Sequence, residues 1–237
     1  MKQIAEHIYT IQGLQVGRVF LIEGNDGLTL IDTSLPGSEK RIEKELATKG
    51  YQLADVKNIL ITHAHGDHIG ALAAIQAIAR NAKTYVHSRD VQVTRGEIPQ
   101  PLPPKESLKG IDRLMGNGFG ASPPARVDVE LQEGFALDHI LPGLTVIDEP
   151  GHSPGQVGFW WPTQRLLISG DLCANLFGRL IRPFAAFTPD MKEAARSIRK
   201  VSEMNVGTLC PGHGPAFRGD VSGQLRALAD RIEKSLS

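Results

Sequence analysis

The sequence predicts an α/β fold, because short strand-like runs alternate with amphipathic helices and two such stretches flank a Pro- and Gly-rich segment. Runs at 19–22, 28–31, 58–62, 84–87, 144–147, 157–161, 166–169 and 208–210 are rich in Val, Ile, Leu and aromatics. Several are bounded by Gly, Asn, Asp or Pro, as strand ends usually are. A helix over 38–49 has Ile42 and Leu46 four apart, with Gly50 just past its end. A second, over 69–82, puts Ile69, Leu72, Ile75 and Ile78 on one face.

A third helix, over 189–204, has Thr188 as its expected cap, Pro189 at its first position and Asp190 complementing the helix dipole. Its apolar residues Met191, Ala194, Ala195, Ile198 and Val201 recur at helical spacing. The last helix spans 221–236 on Val221, Leu225, Leu228 and Ile232, with Asp220 as cap. Segment 95–126 holds six prolines, from Pro99 to Pro124, and glycines at 110, 116, 118 and 120, so only a short helix over 105–115 fits within it. It reads as the connector between two βα halves of one domain spanning 1–237, and a cap bordering an active site is compatible with that reading.

The chain has 237 residues, 41% of them hydrophobic and 22% charged, which is the composition of an ordinary globular protein. Lys plus Arg equals Asp plus Glu at 26 each, which argues against gripping nucleic acid by bulk electrostatics. Cys173 and Cys210 are too few for a disulfide framework. Glu6 and His7 interrupt the apolar stretch a signal peptide needs, and no apolar run approaches the roughly 20 residues that cross a bilayer. The expectation is a cytoplasmic monomer or homodimer acting on a small molecule, with neither nucleic acid nor membrane as partner.

The informative segment is Thr62-His63-Ala64-His65-Gly66-Asp67-His68, between the 58–62 strand and the 69–82 helix. Residues two apart on an extended chain face the same way, so His63 and His65 present imidazoles to one point. Gly66 is expected to permit a sharp change of direction, and Asp67 and His68 then begin the helix and project back. Three imidazoles and a carboxylate so closely spaced suit zinc or another first-row divalent ion. His7, His87 and His139 stand alone and read as surface or hydrogen-bonded residues, and Cys173 as a buried inert thiol.

His-x-His-x-Asp-His after a hydrophobic strand resembles the signature of the metallo-β-lactamase superfamily, and that family's other motifs follow in order. Asp32 ends the 28–31 strand, His152 lies in Pro150-Gly151-His152-Ser153-Pro154-Gly155, Asp171 ends Leu167-Ile168-Ser169-Gly170-Asp171, and His213 lies in Cys210-Pro211-Gly212-His213-Gly214. The resemblance implies a four-layer αββα sandwich with two divalent ions at the edge of two packed sheets. Zinc is the leading ion, with Mn2+, Fe2+ and Co2+ as alternatives. It assigns His63, His65 and His152 to the first ion, Asp67, His68 and His213 to the second, and Asp171 to both. Asp67 and Asp171 become the catalytic carboxylates around a bridging hydroxide. Asp32 reads either as the group that orients a histidine through its other ring nitrogen or as a strand-ending turn residue.

The resemblance points to hydrolysis of a small ester, lactone or thioester, in a glyoxalase II- or lactonase-like branch. Asp171 stands where many β-lactamases of the superfamily carry cysteine, so β-lactams are not the expected substrate. The single helix after His213 is too little for the glutathione-binding domain of typical glyoxalase II enzymes. Ala174 stands where quorum-quenching lactonases often have tyrosine. A mononuclear-iron, persulfide dioxygenase-like oxygenase and a phosphodiesterase are the alternatives. After Asp171, the run 175–187 mixes aromatics with Arg179 and Arg182. These two, with Phe184, read either as an apolar wall with an arginine for an anionic substrate group or as a packed connector with solvated arginines.

Overall fold

Alternation along the strands sends successive side chains to opposite faces, and here it sorts them into three apolar layers. The computed structural model describes residues 1–115 and 122–236, so Gly116, Gly118 and Gly120 of the Pro/Gly-rich segment lie outside the described residues. The first sheet has seven strands in chain order: β1 (Lys2–Ala5), β2 (Ile8–Thr10), β3 (Phe20–Gly24), β4 (Gly27–Ile31), β5 (Val56–Leu60), β6 (Lys83–His87) and β7 (Val129–Leu131). It is antiparallel as far as β4 and parallel from β4 to β7.

The second sheet is built from β8 (Thr145–Asp148), β9 (Val157–Trp161), β10 (Leu166–Ile168), β13 (Thr208–Cys210) and β14 (Phe217–Arg218). Its order is β14-β13-β10-β9-β8, and only β10 and β13 run parallel. A separate hairpin is formed by β11 (Ala174–Leu176) and β12 (Arg179–Ile181). The α-helices are α1 (Glu39–Ala47), α2 (Gly66–Ile69), α3 (Leu72–Ile78), α4 (Val91–Thr94), α5 (Gly110–Met115), α6 (Met191–Ser202) and α7 (Val221–Leu236).

Leu21, Leu30, Ile59 and Val86 face outward from the first sheet and pack against Ile42 and Leu46 of α1 and Leu72 and Ile75 of α3. Their neighbours Phe20, Ile22, Ile31, Leu60 and Tyr85 face the other way and meet Val146, Phe159, Leu166 and Ile168 between the sheets. Leu167 and Leu209 leave the far face of the second sheet and pack on Ile198, Val201, Leu225 and Leu228 of α6 and α7. The order is therefore helix, sheet, sheet, helix. The adjacent tryptophans follow the same rule. Trp161 enters the inter-sheet layer and donates from its indole N–H to the Pro142 carbonyl at 3.1 Å, while Trp160 packs toward α6 and α7.

Several expectations change in detail. The run 58–62 ends as strand at Leu60, because the chain leaves the ladder to carry His63 and His65. The stretch 69–82 divides into α2 and α3 with Ala71 between them. Gly66 lies at the expected change of direction, between extended His65 and the first turn of α2, and makes it without a positive φ. Thr188 does not cap α6; Asp190 does, accepting the Glu193 N–H at 2.9 Å. Within 105–115 the helix is broken into a 3-10 turn, Lys105–Ser107, and α5. Strands β1, β2, β7, β11, β12 and β14 are too short or too polar to show a sequence period. Among the described residues no helix is long and apolar enough to cross a membrane.

Glu149, just after β8, is buried with neither carboxylate oxygen hydrogen-bonded. Burial pushes its pKa well above the usual carboxylate range, and Lys200 offsets this only in part. As pH rises past about 4.5 the unfolded chain ionises this group before the folded one does, so stability falls from that pH upward. Glu149→Gln is therefore expected to melt higher than the parent at pH 8, by about 2–4 °C per kcal/mol relieved, with the difference gone below pH 4 in thermal unfolding.

Candidate metal centre

Both sheets aim the carboxyl ends of their parallel strands at one edge. His63 and His65 lie on the loop after β5, and Asp67 and His68 lie in α2. His152 sits in the turn between β8 and β9, Asp171 in the turn after β10, and His213 in the loop after β13. Backbone hydrogen bonds fasten these loops together. Val157 N–H donates to the Thr62 carbonyl at 2.8 Å, and Gly212 N–H to the Gly170 carbonyl at 2.6 Å. Arg18 N–H reaches the Gly212 carbonyl at 2.8 Å, and Asn175 N–H the His213 carbonyl at 2.9 Å.

The side chains converge in three overlapping groups: His63, His65 and His152; His63, His68 and Asp171; and Asp67, His68 and His213. Within each group the ligand atoms lie within 4.8 Å of one another. Asp171 is central. Its Oδ1 is 3.4 Å from His68 Nε2, and its Oδ2 is 3.4 Å from His152 Nε2 and 3.1 Å from His213 Nε2. Asp67 Oδ2 stands 3.2 Å from His213 Nε2. All seven residues that the sequence singled out as ligands therefore meet at one place.

The opposite ring nitrogens show how each imidazole is turned. His68 Nδ1 lies 2.7 Å from Asp32 Oδ2, a carboxylate that only accepts, so Nδ1 carries a proton and Nε2 is the nitrogen turned toward the cluster. The Thr62 hydroxyl donates to Asp32 Oδ2 at 2.7 Å, so toward His63 Nδ1, 3.1 Å away, it acts as acceptor. The Thr188 hydroxyl donates to the Phe184 carbonyl at 2.8 Å and in the same way accepts from His152 Nδ1 at 3.0 Å. In all three histidines Nε2 is the nitrogen aimed inward, and in His63 and His152 it is left bare. The Nε2 atoms of His63, His65, His68 and His152 and Oδ1 of Asp171 are buried without a hydrogen-bond partner. Five buried polar atoms of ligand type gathered without a hydrogen-bond partner are costly for a protein unless a cation answers them, so the residues fit divalent metal ions.

Electrostatics divides the cluster. Burial drives His63 well below its ordinary value, helped by neighbouring His68, His65 and His152. Burial takes His65 to about 4 and His152 to about 3. These three imidazoles are neutral, the form that binds metal. Burial also opposes charge on His68 and His213, but the facing carboxylates outweigh it. Asp171, Asp32 and Asp67 hold His68 well above its ordinary value, and Asp171 with Asp67 raises His213 to about 10. In return His213 and His68 outweigh the burial of Asp171 and hold its carboxyl well below the usual range.

The cleft over the cluster has a volume of about 180 Å³ and is lined by Val16, Gln100, Phe184 and Phe187 beside His65, Asp67, His152, Asp171 and His213. Phe184 is thus in the wall, but the two arginines expected with it are not. Arg182 is turned to Asp112 of α5 at 3.1 Å and to the Pro183 carbonyl at 3.0 Å, which ties the Pro-rich segment to the cleft wall. Arg179, on β12, faces a groove with Gln224, Ala227 and Arg231 beside α7, because the β11–β12 hairpin leans on that helix. His87 stands 3.4 Å from Asp148 and His139 3.2 Å from the Tyr85 hydroxyl, both away from the cluster. Burial raises the Cys173 thiol pKa and pushes Cys210 up to about 12, so both are inert.

Sequence reasoning missed Gln100, the hydroxyls of Thr62 and Thr188, and Asp90, which accepts hydrogen bonds from the loops on either side. Each is a common residue with no ligand-like spacing, so nothing in the sequence marks it. Gly212 is a further constraint, since a Cβ there would lie 2.2 Å from Asp171 Oδ1 and 2.7 Å from His68 Cε1. Gly212→Ala is expected to displace both side chains and to weaken metal retention on the order of 10–100-fold in a chelator competition, with the fold retained by circular dichroism.

Comparison with known proteins agrees with this geometry. Residues 13–213 match the Metallo-beta-lactamase superfamily. The chain is 28% identical to a probable metallo-hydrolase, YflN of Bacillus subtilis, over 95% of this chain and 90% of that one. It is 29% identical to the uncharacterized protein YobT of the same organism, over 91% of this chain and 90% of that one. Among solved structures, a metallo-beta-lactamase family protein of Thermus thermophilus superposes with a TM-score of 0.76 at 21% identity, covering 99% of this chain and 82% of that one. The subclass B3 enzyme BJP-1 of Bradyrhizobium japonicum gives 0.72 at 24% identity, over 99% and 92%. The chain belongs to the metallo-β-lactamase superfamily.

Proposed function

We propose that the protein is a dinuclear metal-dependent hydrolase that cleaves a small ester, lactone or thioester with an uncharged, apolar acyl portion. The observation that carries this reading is the set of five buried, ligand-type atoms gathered at one place without a hydrogen-bond partner. In the assignment that supports it, His63, His65 and His152 hold one ion, Asp67, His68 and His213 the other, and Asp171 stands between them. Zinc suits this nitrogen-rich donor set. Bound there, such ions supply a water acidified to near-neutral pKa and a Lewis acid for a carbonyl oxygen.

The remaining chemistry falls to the chain itself. Hydrolysis releases a proton from the attacking water and needs one at the departing oxygen or sulfur. Asp67 and Asp171 are the carboxylates in the described lining. Asp171 faces three imidazoles within 3.4 Å, whereas Asp67 has only His213 that close, at 3.2 Å, so Asp67 is the group assigned to orient the attacking water and take up its proton. Val16, Phe184 and Phe187 form an apolar wall that excludes water, and the Gln100 amide is a neutral polar contact for the substrate. The described lining contains no Lys or Arg to pair with a substrate anion.

The test is a turnover screen of protein stripped of metal and reloaded separately with zinc, manganese, cobalt and iron. Matched neutral and carboxylate-bearing esters, lactones and thioesters are the substrates, with phosphodiesters alongside. Metal-dependent hydrolysis favouring neutral acyl groups is expected. Phe184→Ala should lower kcat/KM about 10-fold, the scale of one lost apolar contact in a binding pocket. Full activity without metal, preference for phosphodiesters, or thiol-dependent oxygen uptake with a single iron would contradict the reading.

A further inference from the structure

Two buried carboxylates that are not ligands brace the loops of the cluster from different sides. Asp32 holds the imidazole of His68 directly, and reaches His63 only through the Thr62 hydroxyl. Asp90, the residue before α4, has no hydrogen bond to any imidazole of the cluster. It accepts the Ala64 N–H at 2.9 Å and the Ser153 hydroxyl at 2.8 Å on Oδ2, and the Gly155 N–H at 2.8 Å on Oδ1. Ala64 lies between His63 and His65. Ser153 follows His152, and Gly155 closes the same turn. One carboxylate, 1% exposed, thus joins two loops far apart in sequence that together supply His63, His65 and His152.

The close approach depends on Gly155, where a Cβ would come within 2.7 Å of Asp90 Cγ. Charge matters as well as shape. A carboxylate has acceptor capacity for all three donors, whereas an amide at the same place has one acceptor oxygen and turns two N–H donors toward donors. Bonds to an ionised acceptor are also stronger than neutral ones. Asp67, His68 and His213 receive no bond from Asp90.

We propose that Asp90 is a positioning residue for one metal subsite: by clamping the backbone at Ala64 to the 153–155 turn it sets the mutual placement of His63, His65 and His152, and leaves the Asp67, His68 and His213 subsite to Asp32. This rests on the metal-binding reading given above. Ligand supports of this kind are worth about 10–100-fold in metal affinity, and displacements near 1 Å are enough to spoil a site.

The experiment is a zinc titration of metal-free protein against a chromophoric chelator, with circular dichroism and thermal unfolding of the same samples. His152→Ala and His213→Ala mark which binding event belongs to which subsite. Asp90→Asn is expected to weaken the His152-dependent event about 10–100-fold and the His213-dependent event less than about threefold. Asp32→Asn should show the larger loss in the His213-dependent event. If Asp90→Asn does not fold, Ser153→Ala, which removes one of the three bonds, decides with a loss of a few fold confined to the same event. Equal weakening of both events means general damage and overturns the proposal, as does an unchanged His152-dependent event. A parent protein that binds one ion overturns the dinuclear reading, while Asp90 is still judged on the His152-dependent event. A parent that binds none overturns both.

Discussion

The structure is organised around a conflict between burial and charge at Asp171. A carboxylate taken out of water costs several kcal/mol unless positive charge and hydrogen bonds answer it, and here it is faced by His68, His152 and His213. Two of those imidazoles can take up protons against it, and the group of His63, His65 and His152 is held neutral by burial. The cluster therefore sets buried negative charge against imidazoles of two kinds, and in the proposed reading bound cations resolve that conflict. Keeping seven polar side chains at that spacing is a demand on every loop at this edge of the molecule.

The fold meets the demand by using rigid strands to launch the loops and side-chain hydrogen bonds to lock them. Parallel pairing of β4 with β5 and of β10 with β13 brings four carboxyl ends to the same edge. The inter-sheet layer of Phe20, Leu60, Phe159 and Ile168 fixes the two sheets relative to each other, and with them the two halves of the cluster. Asp32 and Asp90 then act at shorter range, one on an imidazole and one on the backbone. Thr188, placed by the sequence at a helix cap, instead bridges Phe184 to His152. Through it the apolar wall of the cleft is coupled to the His152 imidazole.

What is legible in the sequence follows from this division. The positions of the converging side chains are readable because histidine and aspartate one or two residues apart, or beside glycine at a strand end, are the spacing of a cation-binding cluster. The layered core is readable where strands are long enough to alternate, as at Leu28–Leu30 or Leu166–Ile168. Residues whose role comes only from tertiary contact are not. Asp90 sits in an unremarkable His-Ser-Arg-Asp run, and its partners lie far away in the chain. Gln100 is hidden among prolines. Arg182 draws attention because arginine near an active-site motif suggests an anion, yet Asp112 offers the guanidinium a nearer carboxylate across the fold.

In the proposed reading, inward-facing Nε2 and carboxylate oxygens, oriented by Asp32, Thr62 and Thr188, form a paired cation site astride Asp171. Anomalous diffraction at the zinc edge from crystals of zinc-loaded protein tests it most directly. Two peaks are expected, one on either side of Asp171, with His63, His68 and His152 approaching through Nε2 at about 2.0–2.1 Å. No peak in the cleft, or ligation through Nδ1, would contradict it.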